Sequence, residues 1–418
     1  MTLDPVHVDG IADIAGVLAH RVDSTNHDDL ARTAFEEWLD PLRVDGRTVV
    51  APLGERRLRS VPVDDVALVD APYATVHGLD SGTINPTTFK NGLVLDVAHA
   101  AMAAEPSDLD LHRARSLVTT VHANDPTLSL GTDWVRRDEG YFRRKILHAP
   151  RVNRYAEGVV HALSLYLAES AHALEHAETV DDCLLLDGPL YPKELLNWQD
   201  RDAELGALAT EAKPRAIVEN YVRLVERLLG RDVAVAGFVK NPSAKLITRT
   251  LREKGVDAPW VDDTAFFTRL LDPGTGTGTG TGDDRPTDRL TFTNWFYSRG
   301  GSDRTLAADG DALGVDRALD PGDYEVTFFV VYDPREDLCY RVEAPAGLTR
   351  DADARDRLTR RILHDVAVSR GPPPVVDRAD SLARIGVDEK AALRRTFEER
   401  LESESVRRYD DARWDEEY

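Results

Sequence analysis

Apolar residues in this chain fall into short runs that stop abruptly at turn residues, separated by stretches in which they recur every three to four positions. The clearest run is Cys183 to Leu186, which ends in Asp187-Gly188-Pro189. A continuous apolar run closed by turn residues predicts a strand buried on both faces. Val76 to Asp80 reads the same way. Period-two alternation puts Val76, Gly78 and Asp80 on one face and His77 and Leu79 on the other, and Gly92 to Met102 predicts a returning strand that carries Asp96. A third run, Asp232 to Lys240, is followed by Asn241-Pro242-Ser243, which predicts the cap of a helix over 244–254.

Helical spacing predicts two helices before residue 45, the second with Leu30, Ala34, Phe35 and Leu39 as its apolar stripe, and then a strand-like Thr48-Val49-Val50. A long helix is predicted over 156–179, with Leu163, Leu167, Ala171 and Leu174 facing a core and Glu169 beside them. Further helices are predicted over 204–229, including Tyr221, and over 355–369, before Gly371-Pro372-Pro373-Pro374. The runs LTFTNWFYSR, YEVTFFVVYD and LCYRVEAP predict three late strands. The Gly-Thr repeat from Gly274 to Gly282 predicts a flexible loop over 273–289. These elements divide the chain into an N-terminal helical segment (1–60), a main α/β body (61–385) and a charged helical tail (386–418).

Composition narrows the class. The net charge is −22, with abundant Asp, Glu and Arg, and this matches the acidic surfaces of proteins adapted to molar salt. Against such a background, local departures from acidity carry more information than the total. One departure runs from Trp134 to Tyr155, where Arg136, Arg137, Arg143, Arg144 and Lys145 interleave with Tyr141 and Phe142. Cations alternating with aromatic rings suit unpaired bases and their phosphates; the plainer reading is a solvated face. The first residues lack the basic and apolar regions of a signal peptide, and no apolar run is long enough to span a membrane. Cys183 and Cys339 lie in strand-like runs and read as buried thiols in a reducing cytoplasm.

Asp80, Glu169 and Asp187 come from separate segments. Singly, each has a plain reading: a hairpin turn residue, a surface Glu, an organiser of the Gly-Pro turn. Together, a hairpin with a first Asp, a helix with a Glu and a later strand with an Asp follow the order of a ribonuclease H-like mixed sheet flanked by helices. The N-terminal helices and C-terminal strands are then additions to it. Carboxylates of this kind gather divalent metal for phosphodiester cleavage, and oxygen ligands favour Mg²⁺ or Mn²⁺. A rival motif, His172-Ala-Leu-Glu175-His176, matches the HxxEH pattern of zinc peptidases.

Over residues 70 to 385 the sequence resembles the NurA family of archaeal DNA-end-processing nucleases. The resemblance rests on HGLDSG, on the Glu preceding LLLDGPL, on AGFVKNPSAKL and on YRVEAPAG. It implies a manganese-dependent, dimeric, ribonuclease H-like enzyme. Such an enzyme acts as a 5′→3′ exonuclease and single-strand endonuclease, and resects double-strand breaks with the hexameric translocase HerA. It further implies that Asp80, Glu169 and Asp187 hold metal, that Tyr221 is an active-site tyrosine, and that Lys240 contacts phosphate. The family has a His after a Pro-containing break near its C-terminus. Here PPPVVDRADSL puts Asp380 at that place, so a carboxylate that can ligate metal replaces an imidazole that can donate a proton. That departure leaves room for an alternative: a weakened member acting as an adaptor that binds DNA and the translocase.

Overall fold

The computed structural model describes residues 4–21, 27–125, 127–274, 286–310 and 312–407. Most of the Gly-Thr tract (275–285) and the end of the acidic tail (408–418) lie outside these residues. Among the described residues, fifteen strands form one mixed sheet. They are β1 (Leu42–Val44), β2 (Arg47–Pro52), β3 (Leu58–Pro62), β4 (Val76–Thr83), β5 (Thr87–Thr88), β6 (Val94–Glu105), β7 (Arg115–His122), β8 (Val135–Arg137), β9 (Phe142–His148), β10 (Cys183–Asp187), β11 (Ala234–Val239), β12 (Arg289–Thr293), β13 (Phe296–Ser298), β14 (Val326–Asp333) and β15 (Leu338–Pro345). The main order is β1-β2-β13-β14-β15-β11-β10-β4-β6-β7-β9-β8, with β12 bridging β14 to β3 and β5 pairing with β6.

Within that order, β7-β6-β4-β10-β11 is the ribonuclease H-like unit. Its first three strands are antiparallel neighbours, and β10 and β11 then add in parallel. Parallel neighbours need a crossover on a sheet face. The helix Ala156–Glu175 leads into β10, and the helix Ala212–Leu229 leads into β11. Both pack one face of the sheet, through Leu163, Leu167, Val218 and Val222 against Leu79, Leu184 and Leu186. The opposite face receives the helices Ala352–Ser369 and Pro374–Ala383, through Leu358, Val366, Val375 and Ala379 against Val76, Leu185 and Phe238.

The last of these helices lies unusually close to β4. A Cβ added at Gly78 would sit 2.3 Å from the carbonyl oxygen of Val375, and one at Gly82 would sit 1.9 Å from that of Ala383. The strand and the helix therefore meet backbone to backbone, which only glycine permits at these two positions. Asp80 lies between them on the same face of the strand.

Several boundaries differ from the sequence expectation. The segment 1–60 is not helical throughout: β1 and β2 join the main sheet beside β13, and β3 pairs with β12. A cut at residue 60 would thus split a sheet, because short apolar runs hide their distant partners. The late run LTFTNWFYSR breaks into β12 and β13 at Asn294-Trp295. The helix predicted over 204–229 breaks at Thr210-Glu211, and Pro214 falls in the first turn of its second half, where a missing N–H is tolerated. The tail helix Val387–Leu401 is docked rather than free: Phe397 and Leu401 pack near Phe89, and Ser405 bridges Phe89. Both cysteines are free and buried. No described helix is long and apolar enough to cross a membrane.

If the backbone contact fixes the helix on β4, Gly82→Ala must push the two apart. The expected cost is roughly 3 kcal/mol. In a chain this long that lowers the melting temperature by about 3 °C, measurable by scanning calorimetry.

Candidate metal centre

Asp80 and Asp187 are neighbours because β4 and β10 run parallel in register. Leu186 pairs with Leu79, so the next position on each strand carries an Asp, and both side chains leave the sheet on the same face. That is the face covered by the helix Pro374–Ala383, which supplies Asp380. Ligand atoms of Asp80, Asp187 and Asp380 all lie within 4.8 Å of one another. Among the described residues this is the one such grouping of three potential metal ligands.

The trio is electrostatically uncomfortable by itself. Burial, then the charges of Asp187 and Glu169, push the Asp80 carboxyl up to about 8. Burial also raises Asp187, although the Lys240 ammonium, 2.8 Å away, pulls in the opposite direction. Three converging carboxylates on a partly buried sheet end suit a hard divalent cation, which would relieve both desolvation and repulsion. The donor set therefore fits Mn²⁺ or Mg²⁺ better than zinc.

Glu169 is not a member of the trio. It approaches from the opposite face of the sheet, where Ser81 Oγ donates to it at 2.7 Å and Tyr221 OH at 2.8 Å. Burial raises its carboxyl to about 6, with these two hydroxyls limiting the rise. Tyr221 is buried and its hydroxyl is committed to Glu169. Lys240 follows β11 and holds Asp187, with Asp377 3.7 Å away on the same helix as Asp380. Asp377 was not singled out from sequence, yet its three-residue spacing from Asp380 puts both on one helix face.

The turn after Asp187 is pinned twice. A Cβ on Gly237 of β11 would sit 2.5 Å from both Gly188 O and Leu190 N, so the Gly-Pro turn lies directly on the β11 backbone. Behind it, the buried Glu343 of β15 accepts from Leu190 N at 3.3 Å, Lys193 at 2.5 Å and Arg341 at 2.7 Å. Lys193 and Arg341 also reach Asp303, at 3.0 and 3.2 Å. Burial alone would raise Glu343, but Lys193 and Arg341 outweigh it and hold the carboxyl near the bottom of its range, at about 2. The runs AGFVK and YRVEAP contain Gly237, Arg341 and Glu343, but spacing alone gives no sign that they support the turn.

Two expectations need correction. The Trp134–Tyr155 island lies at the far edge of the sheet, with β9 three strands from β4, or about 14 Å. Arg143 is buried: it donates to Ser116 Oγ at 2.7 Å and Glu175 at 2.8 Å, and its guanidinium lies 4.4 Å from the Trp134 ring. Arg136 also pairs with Glu175, and Tyr141 donates to Asp110 while stacking under Arg113. The cation–aromatic alternation thus serves the protein's own packing. Of the seven residues expected to meet DNA, Arg136, Arg137 and Arg144 are exposed, Tyr141, Phe142 and Lys145 are half-buried, and Arg143 is buried. The HxxEH pattern fares likewise. His172 is fully buried with Nδ1 3.0 Å from Ser116 Oγ, and Glu175 is taken by the two arginines, so the motif offers no open metal position.

Residues 74–385 match the profile of the NurA domain. No curated protein matches the chain. Among solved structures, the NurA nuclease from Sulfolobus solfataricus aligns at 11% identity over 96% of this chain and 98% of its own, with a TM-score of 0.49. A structure of NurA bound to dAMP and manganese aligns at 11% identity over 97% and 98%, with a TM-score of 0.45.

An Asp that titrates higher in the folded chain than in the unfolded one binds more protons when folded. Metal-free stability should therefore fall as pH rises from the ordinary carboxylate range towards about 8. In chelator, Asp80→Asn is expected to exceed the wild type by roughly 2 kcal/mol at about pH 8 and to match it near pH 4. Thermal melts of the two proteins across that range check this. Arg143→Ala, by contrast, removes one of two arginines from Glu175 and one of two partners from Ser116, and should cost roughly 2 kcal/mol in denaturant unfolding.

Proposed function

Because this chain belongs to the NurA family, we propose that it is a divalent-metal-dependent deoxyribonuclease. On this reading it trims DNA ends 5′→3′ and cuts single strands during resection of double-strand breaks, as a homodimer working with a HerA-type hexameric translocase. The observation that carries the reading is the convergence of Asp80, Asp187 and Asp380 at the end of a ribonuclease H-like sheet. A centre in one strand-end cleft of an α/β sheet is where such folds place their chemistry.

Asp80, Asp187 and Asp380 would hold Mn²⁺ or Mg²⁺, which supplies an activated water and neutralises charge on the scissile phosphate when bound. The remaining work falls to the protein. Lys240 fixes Asp187 through its 2.8 Å contact and places a cation on the side where phosphate charge must be met. Ser81 and Tyr221 fix both oxygens of Glu169, so this carboxylate is oriented before substrate arrives. On this reading Asp380 stands in for the family's histidine. As a carboxylate it strengthens the negative field at the trio and leaves protonation of the departing oxygen to water or to the Lys240 ammonium.

Asp187→Asn keeps the shape of the side chain and removes one charge from the trio. Mn²⁺ affinity by calorimetry is expected to drop steeply, and cleavage of 5′-labelled single strands to fall roughly a hundredfold. Strand binding should persist, since one charge that repels phosphate has gone. Cutting at the wild-type rate by this variant would overturn the metal-nuclease reading. A wild-type protein that binds strands without cutting them in Mn²⁺ would support the adaptor reading instead.

A further inference from the structure

Lys240 stands between two carboxylates of different kinds. Asp187 pairs with Phe238 across β10 and β11, and Lys240, two residues further, leaves the sheet on the same face just past the end of β11. Its ammonium is 2.8 Å from Asp187 Oδ2 and 3.7 Å from Asp377 Oδ1. Asp187 belongs to the trio, whereas no grouping of three potential metal ligands among the described residues includes Asp377. The helix Pro374–Ala383 carries Asp377 and Asp380 about one turn apart, and its backbone contacts at Gly78 and Gly82 hold that helix against the sheet. The docking that completes the trio therefore also sets Asp377 beside Lys240.

The two carboxylates differ in how much they need the ammonium. The Asp187 side chain is only 15% exposed and depends on a cation, whereas Asp377 is 55% exposed and stays solvated without one. Burial lowers the pKa of Lys240, but Asp187, then Asp380 and Asp377, outweigh it and raise the value, so the side chain remains a cation. With a divalent ion at the trio the balance changes. Asp187 then shares its charge with the metal, and the ammonium meets positive charge beside it, so the Asp187–Lys240 pair loses attraction. The Asp377–Lys240 pair loses less, because its carboxylate stands outside the trio. Closing the 3.7 Å gap to hydrogen-bond length takes a shift of about 1 Å, which a flexible four-carbon stem can make.

We propose that Asp377 is a positioning residue that takes Lys240 over from Asp187 when the trio binds its metal. In the metal-free protein Lys240 neutralises Asp187 and eases the crowding of carboxylates. With metal bound it pairs with Asp377, which releases Asp187 Oδ2 and keeps the ammonium beside the centre instead of letting it swing into solvent. Asp377 thus acts on metal affinity through Lys240, and not as a ligand. This rests on the reading that the trio holds a divalent metal.

The test is a double-mutant cycle on Mn²⁺ affinity, measured by calorimetry on the full chain as wild type, Asp377→Asn, Lys240→Met and the double variant. Titrations are run in about 1 M KCl, where the Debye length is about 3 Å and attraction between Mn²⁺ and a more distant exposed carboxylate is screened. Asp377→Asn should weaken Mn²⁺ binding about tenfold when Lys240 is present, and less than about twofold when it is Met, since no ammonium is then left to take over. Equal losses in the two backgrounds would mean that Asp377 acts on the metal directly, and would overturn the proposal. Wild-type affinity in Asp377→Asn would overturn it as well. If Lys240→Met does not fold, ¹⁵N spectra of the lysine ammonium groups decide, with the Lys240 signal assigned from Lys240→Arg and diamagnetic Mg²⁺ as the metal. At saturating Mg²⁺ that signal should be protected from exchange with water in the wild type and lost in Asp377→Asn; equal protection in both overturns the proposal. A wild type that binds neither ion overturns the metal reading itself and the proposal with it, whereas equal losses with tight wild-type binding overturn the proposal alone.

Discussion

Two missing side chains hold this site together. Gly78 and Gly82 flank Asp80 on the face of β4 that receives the helix Pro374–Ala383, and their hydrogens leave room for carbonyls that no Cβ could accommodate. The contact is short because it is made by backbone. It brings a helix from late in the sequence close enough for the short side chain of Asp380 to reach Asp80 and Asp187. A wider separation, of the usual kind between a sheet and a helix, would leave Asp380 in solvent and reduce the trio to a pair. The glycines thus act on the metal centre without touching it.

The second constraint is charge. The strand register forces two carboxylates side by side, and burial makes that placement unfavourable unless a cation is close. The protein supplies one permanent cation, Lys240, and leaves the rest of the negative field uncompensated. Supporting charges are treated in the opposite way. Glu343, Lys193, Arg341 and Asp303 satisfy one another in a nearly closed set, and the turn behind Asp187 rests on it. Paired charge supports the scaffold, and unpaired charge is reserved for the centre.

Much of this was legible in sequence, for reasons that can be stated residue by residue. Cys183 to Asp187 and Val76 to Asp80 announce themselves because a doubly buried strand must be apolar to its end, so a terminal Asp stands out. Their order around the Glu169 helix was enough to suggest the sheet. Tertiary pairing was not legible. Nothing local in Arg47 to Pro52 tells that it will pair with β13, so its strand-like Thr48-Val49-Val50 was left in an N-terminal helical segment apart from the main body. Part of the Trp134–Tyr155 island turns inward, at Arg143, because a sequence shows charge but not the partner that claims it. Glu175 lies on another element, and it pairs with Arg136 at the surface and, with Ser116, holds Arg143 inside. The side from which Glu169 approaches was hidden for a related reason: alternation tells which face a strand residue takes, but not that the helix bearing Glu169 would lie on the other one.

The close approach of Pro374–Ala383 to β4 also has a temporal side. Asp80 and Asp187 emerge early in synthesis, and Asp380 is among the last residues of the matched region to leave the ribosome. Domains generally fold as units during synthesis, at rates of about 5–20 residues per second. Until the helix Pro374–Ala383 settles into the space left by Gly78 and Gly82, the growing chain has a sheet without the complete trio. A protein able to cut DNA would then acquire that ability only once this late helix docks, and a chain interrupted before residue 374 would be made without it.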